Sequence, residues 1–287
     1  MDAAEATGES DGMPMILVDG LPANAVPADD RGFTYGDGVF RTLAMRNGRA
    51  QWWPQHYAKL AADCDALRIS PPAEVDLRRD LESIAAQLPD CALRITVTRG
   101  SGGRGYAVPE NLRLRRVVYA NPLPEYPLHW PKQGVSVRMC ELRLAAQPRL
   151  AGIKHLNRLE NVLARAEWND PAIAEGLLLD DAGGVIEGTR CNVFIVEDGA
   201  LVTPDLSRCG VAGVTRDLVI AAAGRNGLRC RIEAISRQRL EAATEIFLVN
   251  SLIGVWPVAE LEKRRWSDFK VAPLVRKWLD ALDHPLH

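Results

Sequence analysis

Glu187-Gly188-Thr189-Arg190-Cys191-Asn192-Val193-Phe194 runs through Leu201 and Thr203 to Val211-Ala212-Gly213-Val214-Thr215-Arg216, and the reading of this stretch decides the fold. Asp180-Asp181-Ala182-Gly183-Gly184 before it is turn chemistry, which places Glu187 on the return strand of a hairpin and starts an apolar strand at Asn192. Gly213 then leads into a helix carrying Leu218, Val219 and Ala222. A glycine followed by backbone amides and a hydroxyl at a helix N-terminus is a ready cup for phosphate, because unpaired N–H groups and the helix dipole both favour an anion. A carboxylate on the neighbouring strand suits a pyridinium partner.

Upstream, Gly152-Ile153-Lys154-His155-Leu156-Asn157-Arg158-Leu159-Glu160 sets Lys154 just before a helix start. Leu156, Leu159, Leu163 and Ala166 mark one helical face, and Asn157 with Glu160 three residues on reads as a capping box. A lysine held rigidly at such a junction, with its amine partly desolvated, suits Schiff-base chemistry. Taken singly, each of these features is ordinary: a lysine before a helix is more often a solvated charge, a glutamate at a strand end is more often exposed, and any capped helix resembles a cup.

The rest of the chain supplies two α+β units. In the first, strands are expected at Met15–Val18, Val39–Met45, Leu93–Thr98 and Val117–Ala120, and Asn47-Gly48 turns a hairpin. Pro54 opens a helix with a stripe at Tyr57, Leu60, Ala61, Cys64 and Leu67, and a second helix covers 74–87. Asn121-Pro122-Leu123-Pro124-Glu125-Tyr126-Pro127 with Pro131 is too rich in proline for helix or central strand, so the domain boundary falls at 121–131. Beyond it, strands are expected at 134–140, 176–180, 192–196, 200–203 and 245–249, with helices near 157–169, 214–226 and 268–282. Residues 1–14 read as a disordered leader. The domains are then 15–120 and 132–287, with the site in the crevice between them.

Charge and cysteine usage narrow the function. Among 287 residues, 35 Lys and Arg against 37 Asp and Glu give a formal charge of -2, which sets up no bulk field for nucleic acid or an anionic membrane. A small molecule is the expected partner. The cysteines at 64, 91, 140, 191, 209 and 230 stand singly, without C-x-x-C or His at ligand spacing, and read as reduced, buried thiols in a cytoplasmic protein with no metal site. Neither a membrane span nor a secretory signal is expected.

Together, Glu187, Thr189, Asn192, Val193, Phe194, Leu201, Thr203, Val211, Gly213, Val214 and Arg216 match the signature of the fold type IV pyridoxal-phosphate enzymes, which the chain resembles from about Ile16 to about residue 280. Phe33-Thr34-Tyr35-Gly36-Asp37-Gly38-Val39-Phe40, His56 with Lys59-Leu60, and Asn250-Ser251 also have counterparts there. The resemblance implies an α+β fold like that of the D-amino acid aminotransferases, with a smaller N-terminal α/β domain, a larger C-terminal domain around a β-barrel-like core, and a homodimer. It implies pyridoxal 5'-phosphate as cofactor, Lys154 as the Schiff-base lysine and Glu187 as the partner of the pyridine nitrogen. The phosphate contacts would be Val214, Thr215, Ser251 and Lys59. Relatives usually carry arginine at that last position, and periodicity sets Lys59 opposite the stripe of Tyr57, Leu60 and Cys64.

Within the family, Thr98-Arg99-Gly100-Ser101-Gly102-Gly103-Arg104-Gly105-Tyr106 and the segment Leu150–Glu160 resemble the aminodeoxychorismate lyases rather than the branched-chain or D-amino acid aminotransferases. The glycines precede no helix and lack the Lys-Ser/Thr ending, so they are not a nucleotide loop. They put Arg104 on a turn where a guanidinium can clamp a carboxylate. The implied activity is conversion of 4-amino-4-deoxychorismate to 4-aminobenzoate and pyruvate in folate synthesis. Lys154 serves as base, Thr42 is the second candidate for returning the proton, and Arg104, Tyr35 and Arg41 are candidate substrate contacts. An aminotransferase of D- or branched-chain amino acids is the alternative, since it needs the same lysine, glutamate and phosphate cup.

Overall fold

The computed structural model describes residues 15–102, 105–108 and 112–283. In chain order the first part comprises β1 (Met15–Val18), β2 (Leu21–Pro22), α1 (Arg31–Tyr35), β3 (Gly38–Arg46), β4 (Arg49–Ala50), α2 (Trp53–Ala66), α3 (Glu74–Ala85), β5 (Cys91–Thr98) and β6 (Arg115–Asn121). The six strands form an antiparallel sheet in the order β2-β1-β6-β5-β3-β4. Period-2 alternation gives this sheet two different faces. Val39, Leu43 and Met45 on β3, with Leu93, Ile95 and Val97 on β5, pack against Leu60 and Cys64 of α2 and Leu77, Leu81 and Ile84 of α3. The opposite face presents Phe40 and Thr42, with Arg94 directly across from Thr42 in the ladder, and these three residues line a cavity.

The second part comprises α4 (Trp130–Gln133), β7 (Val135–Leu144), α5 (Leu159–Arg165), β8 (Ile173–Asp180), β9 (Gly184–Gly188), β10 (Asn192–Glu197), β11 (Ala200–Thr203), α6 (Val214–Arg225), β12 (Cys230–Ile232), β13 (Ile235–Ser236), α7 (Arg237–Ala242), β14 (Glu245–Asn250), β15 (Gly254–Leu261), β16 (Arg264–Arg265) and α8 (Val271–Asp283). Nine strands follow the order β12-β11-β10-β14-β15-β7-β8-β9-β13, with β16 pairing β15. The sheet curls around a core that includes Val137, Leu177, Val193, Ile195, Leu248 and Trp256. On its other face Phe194, Val196, Phe247 and Val249 meet α6 and α8. Both faces of β10 are therefore covered, which is why Val193-Phe194-Ile195-Val196 is a continuous apolar run rather than an alternating one.

Most expected elements are present with ends moved by a few residues. One local reading is overturned: α5 begins at Leu159, and no capping box forms. The Asn157 amide donates to the Gly36 carbonyl at 3.1 Å, and Glu160 Oε1 accepts from Ala145 N–H at 2.9 Å, so both side chains are engaged with other segments. The leader assigned to 1–14 lies outside the described residues. No helix among the described residues is long and apolar enough to cross a membrane.

Candidate active site

Lys154 lies in an extended segment that joins the two sheets. On one side Phe40 N–H donates to the Lys154 carbonyl at 2.9 Å, and Leu156 N–H donates to the Gly38 carbonyl at 3.0 Å, so the lysine backbone runs as a short partner of β3. On the other side Gly152 N–H donates to the Gly210 carbonyl at 2.9 Å and Ala212 N–H donates to the Gly152 carbonyl at 3.0 Å. Rigid placement of the lysine comes from these two short ladders, not from a helix cap. Its Nζ lies 4.6 Å from the centroid of the Phe40 ring and faces a cavity of about 500 Å³. Burial holds the amine below the ordinary lysine range, and the cations Arg41, Arg158 and Arg94 add to that against the pull of Glu187.

Glu187, on β9, faces the same cavity and is 4% exposed. Among the described residues its hydrogen-bond donor is the Val211 N–H, at 2.8 Å to Oε2. Burial pushes this carboxyl well above the usual range, and the Val211 N–H, Lys154 and Arg158 only partly offset it. A buried acid with one donor is poised to take a cationic N–H partner. Gly210 turns the loop at φ +83, where an added Cβ would come within 2.7 Å of Ile186, so the donor strand sits directly against β9.

Asn192 brackets the next residues. Its Nδ2 donates to the Val211 carbonyl at 2.8 Å and its Oδ1 accepts from Gly213 N–H at 3.0 Å. This bracket aims the N-terminus of α6 into the cavity. No side chain caps the helix at Gly213, so the amides of the first turn are left for an anion. The Thr215 hydroxyl stands 3.3 Å from that of Ser251, and Val214, Thr215 and Ser251 all line the cavity. Two other members of the stretch are structural: Thr203 donates to the Val193 carbonyl at 2.9 Å, and buried Arg216 donates to the Pro204 carbonyl at 3.0 Å.

A buried amine, a buried acid and a helix N-terminus with two hydroxyls thus converge on one cavity, and this donor set fits pyridoxal 5'-phosphate. Lys154 would hold its aldehyde carbon, Glu187 its ring nitrogen, and the Val214 and Thr215 amides with the Thr215 and Ser251 hydroxyls its phosphate.

The remaining candidates are distributed differently. Thr42 lines the cavity. Arg41 also reaches it but is committed to an ion pair with Asp63. Lys59 Nζ is 2.9 Å from Asp217 Oδ2, tying α2 to the first turn of α6. Tyr35 lines a smaller recess of about 230 Å³, its hydroxyl accepting from Gly105 N–H at 3.2 Å. Arg104 lies outside the described residues. Sequence reasoning assigns no role to Asp63, His56, Arg94, Arg158 or Arg190, of which all but Asp63 line the cavity. Arg94 falls in the expected strand Leu93–Thr98, and only the fold shows that its face looks into the site. Among the described residues no cluster of His, Cys, Asp and Glu is arranged to hold a metal ion, and the six cysteines are unpaired.

Residues 38–261 match the amino-transferase class IV family model. The chain is 37% identical to an aminodeoxychorismate lyase of Vibrio harveyi over 92% of its own length and 97% of that protein. Its structure superimposes on that of 4-amino-4-deoxychorismate lyase from Pseudomonas aeruginosa with a TM-score of 0.88 at 45% identity, covering 95% of this chain and 99% of that one. A hypothetical aminotransferase from Mycobacterium tuberculosis in its PLP-bound form gives a TM-score of 0.81 at 25% identity, covering 94% of this chain and 99% of that one.

Proposed function

Since the chain belongs to the class IV aminotransferase family, we propose that it is a pyridoxal-phosphate lyase that converts 4-amino-4-deoxychorismate to 4-aminobenzoate and pyruvate. The observation that carries this is the convergence of Lys154, Glu187, Thr215 and Ser251 on one cavity. The choice of a lyase over an aminotransferase rests on the greater likeness, in sequence and in structure, to the lyases.

When bound, the cofactor supplies an aldehyde for the amine and a cationic ring that accepts electron density. Lys154 would hold it, and its amine would be free to act as base once substrate is bound. The freed amine, kept below the ordinary lysine range by burial and neighbouring cations, then acts as base at the amine-bearing carbon. Glu187 would hold the ring nitrogen in its protonated form. Breaking the bond between the ring carbon and the ether oxygen aromatises the product, and the proton removed by Lys154 ends on the methylene carbon of the departing enolpyruvyl group. Lys154 and the Thr42 hydroxyl are the candidates for that final transfer, and both line the cavity. Because aromatisation supplies much of the driving force, the protein's part is to position the base and the carboxylates.

A homodimer in the cytoplasm completes the reading. Leu159, Val162 and Leu163 of α5 are 74%, 60% and 59% exposed, and Val162 is at the same time in the cavity wall. An apolar rim at the mouth of a site suits a second copy closing over it.

Spectroscopy and product formation test the proposal together. The purified protein should show visible absorbance that borohydride bleaches irreversibly, and it should release fluorescent 4-aminobenzoate when given chorismate, glutamine and an amination enzyme. Rapid conversion to the pyridoxamine form with D- or branched-chain amino acids, without 4-aminobenzoate, would replace the lyase by the aminotransferase reading.

A further inference from the structure

Lys59 and Arg41 are both cations beside the start of α6, and they differ in what their donors meet. Lys59, on α2, stands where relatives usually carry arginine. Its ammonium is 2.9 Å from Asp217 in a partly exposed pair, and it does not line the cavity. Arg41, on β3, is 2% exposed and lines the cavity together with Val214, Thr215 and Ser251. By alternation Arg41 shares the strand face of Val39 and Leu43, which meets α2, and not the face of Phe40 and Thr42. It therefore approaches the cavity from the side on which α2 is tied to α6 through Lys59 and Asp217.

The guanidinium of Arg41 is only partly satisfied. Its hydrogen bonds leave from Nη2, one to the Asp63 carboxylate and one to the Lys59 carbonyl at 3.4 Å. Its Nε is buried and has no acceptor among the described residues. A buried donor of a charged group is costly to leave unmade, so an acceptor from outside the chain is expected there. Two contacts say where that acceptor sits. The Asp63 oxygen that pairs with Arg41 also accepts from the Lys154 N–H at 3.0 Å, which sets the guanidinium beside the lysine segment. Burial opposes its charge, Asp63 chiefly restores it, and Asp217 in the first turn of α6 adds to that, which sets it beside the helix start as well.

We infer that Arg41 is the cation that binds the cofactor phosphate, donating from Nε, while Lys59 ties α2 to α6 in place of the arginine that relatives carry. The planar fork allows both contacts at once: Asp63 fixes it at Nη2, and the Nε edge is left for a phosphate oxygen. The inference takes Arg41 out of the substrate contacts. It rests on pyridoxal 5'-phosphate as the cofactor and not on the lyase step.

Pyridoxal differs from the cofactor by the phosphate alone, so the ratio of the two affinities isolates the phosphate contact. Absorbance titration of the cofactor-free protein with each compound measures it. Arg41→Leu combined with Asp63→Ala removes the guanidinium without stranding a buried acid. In that variant the preference for pyridoxal 5'-phosphate over pyridoxal should fall roughly tenfold to a hundredfold, the scale of a hydrogen bond between charged groups. Lys59→Ala should lower the preference by less than about threefold. A preference within about threefold of wild type in the double variant overturns the inference. That includes an equal loss of both compounds, which would make the Arg41–Asp63 pair a support for the lysine segment only. A larger fall in Lys59→Ala than in the double variant also overturns it. If the double variant does not fold, Arg41→Lys decides: an ammonium keeps the charge beside Asp63 but has no Nε edge, so the preference should still fall, and an unchanged preference overturns the inference. Failure of the cofactor reading shows in the wild type, as a lack of absorbance that borohydride bleaches. Failure of the lyase step shows instead in a wild-type holoenzyme that forms no 4-aminobenzoate.

Discussion

The carboxylate of Asp63 accepts a hydrogen bond from the backbone N–H of Lys154 at 3.0 Å with the same oxygen that pairs with Arg41. Asp63 is on α2, which packs on the face of the N-terminal sheet that carries Val39 and Leu43, so one buried acid couples that layer to the position of the reactive amine. Burial raises the Asp63 carboxyl, and Arg41 is the main influence opposing the rise. Asp63→Ala strands Arg41 as a buried, unpaired charge, and about 3–5 kcal/mol of stability should be lost. Arg41→Leu combined with Asp63→Ala should recover much of that loss. Calorimetric melting of the single and double variants measures it, and a wild-type melting temperature for Asp63→Ala alone would show that the pair contributes nothing.

Lys154→Ala should remove both turnover and the absorbance that borohydride bleaches, because among the described residues no other lysine lines the cavity beside Glu187. Glu187→Gln should keep the fold, since its amide oxygen can still accept from Val211 N–H. It should bind cofactor while turnover falls at least about a hundredfold, the scale of removing a positioned charge or proton partner. A Lys154→Ala protein that retained both colour and product would sink the site assignment.

Much of this site is legible in sequence because its signals are local. Glu187, Asn192, Gly213 and Thr215 lie in one hairpin, strand and helix start, where turn residues and apolar runs announce the elements. The features that sequence does not reveal depend on long-range pairing. Lys154 reads as a residue before a helix cap, yet its rigidity comes from β3 and the Gly210–Ala212 loop, which no sequence window contains. Arg94 goes unassigned because alternation tells which residues share a face, not what that face meets. β15 is hidden because Trp256-Pro257 breaks its apolar run. Pro257 has no N–H for the ladder, and the strand carries a register shift toward β7 between Val258 and Glu260. Arg41 and Asp63 are separated by most of a helix and a hairpin in sequence, and only the packing of α2 on β3 makes them a pair.

Gly213 stands where a methyl group cannot fit without moving the phosphate cup. An added Cβ would lie 2.5 Å from Asn192 Oδ1, the atom that accepts the Gly213 N–H. Gly213→Ala should therefore displace the Asn192 bracket and the first turn of α6, weakening cofactor binding by roughly tenfold or more for each charge-assisted hydrogen bond to the phosphate that is broken. Lys59→Ala, by contrast, breaks a partly exposed pair with Asp217, worth at most about 1 kcal/mol, and should change affinity much less. Titration of the cofactor-free variants with pyridoxal 5'-phosphate separates the two, and a greater weakening by Lys59→Ala than by Gly213→Ala would move the phosphate site to the lysine.

Stability should fall with acid through two buried histidines. His56 is 2% exposed with neither ring nitrogen bonded among the described residues, and burial, then Arg41, then Lys154 press its pKa from 6.5 down to about 3. His155 is pressed from 6.5 to about 4 by burial and Arg158. Below the ordinary imidazole value the unfolded chain takes up protons that the folded chain refuses, so the stabilisation is complete above that value and is lost as pH drops toward the folded values. The slope is up to about 1.4 kcal/mol per pH unit for each histidine. Glu187 acts in the opposite sense, because its carboxyl, raised from 4.5, makes the folded chain the better proton acceptor above that value, so the raw pH profile mixes the two. The difference between wild type and His56→Gln isolates the imidazole. Urea midpoints measured from about pH 7.5 down to about pH 5 should show the wild type losing stability relative to His56→Gln, with the two slopes differing by roughly one histidine's share. Parallel profiles would mean that His56 titrates alike in the folded and unfolded chains, and that its burial beside Arg41 and Lys154 does not hold it neutral.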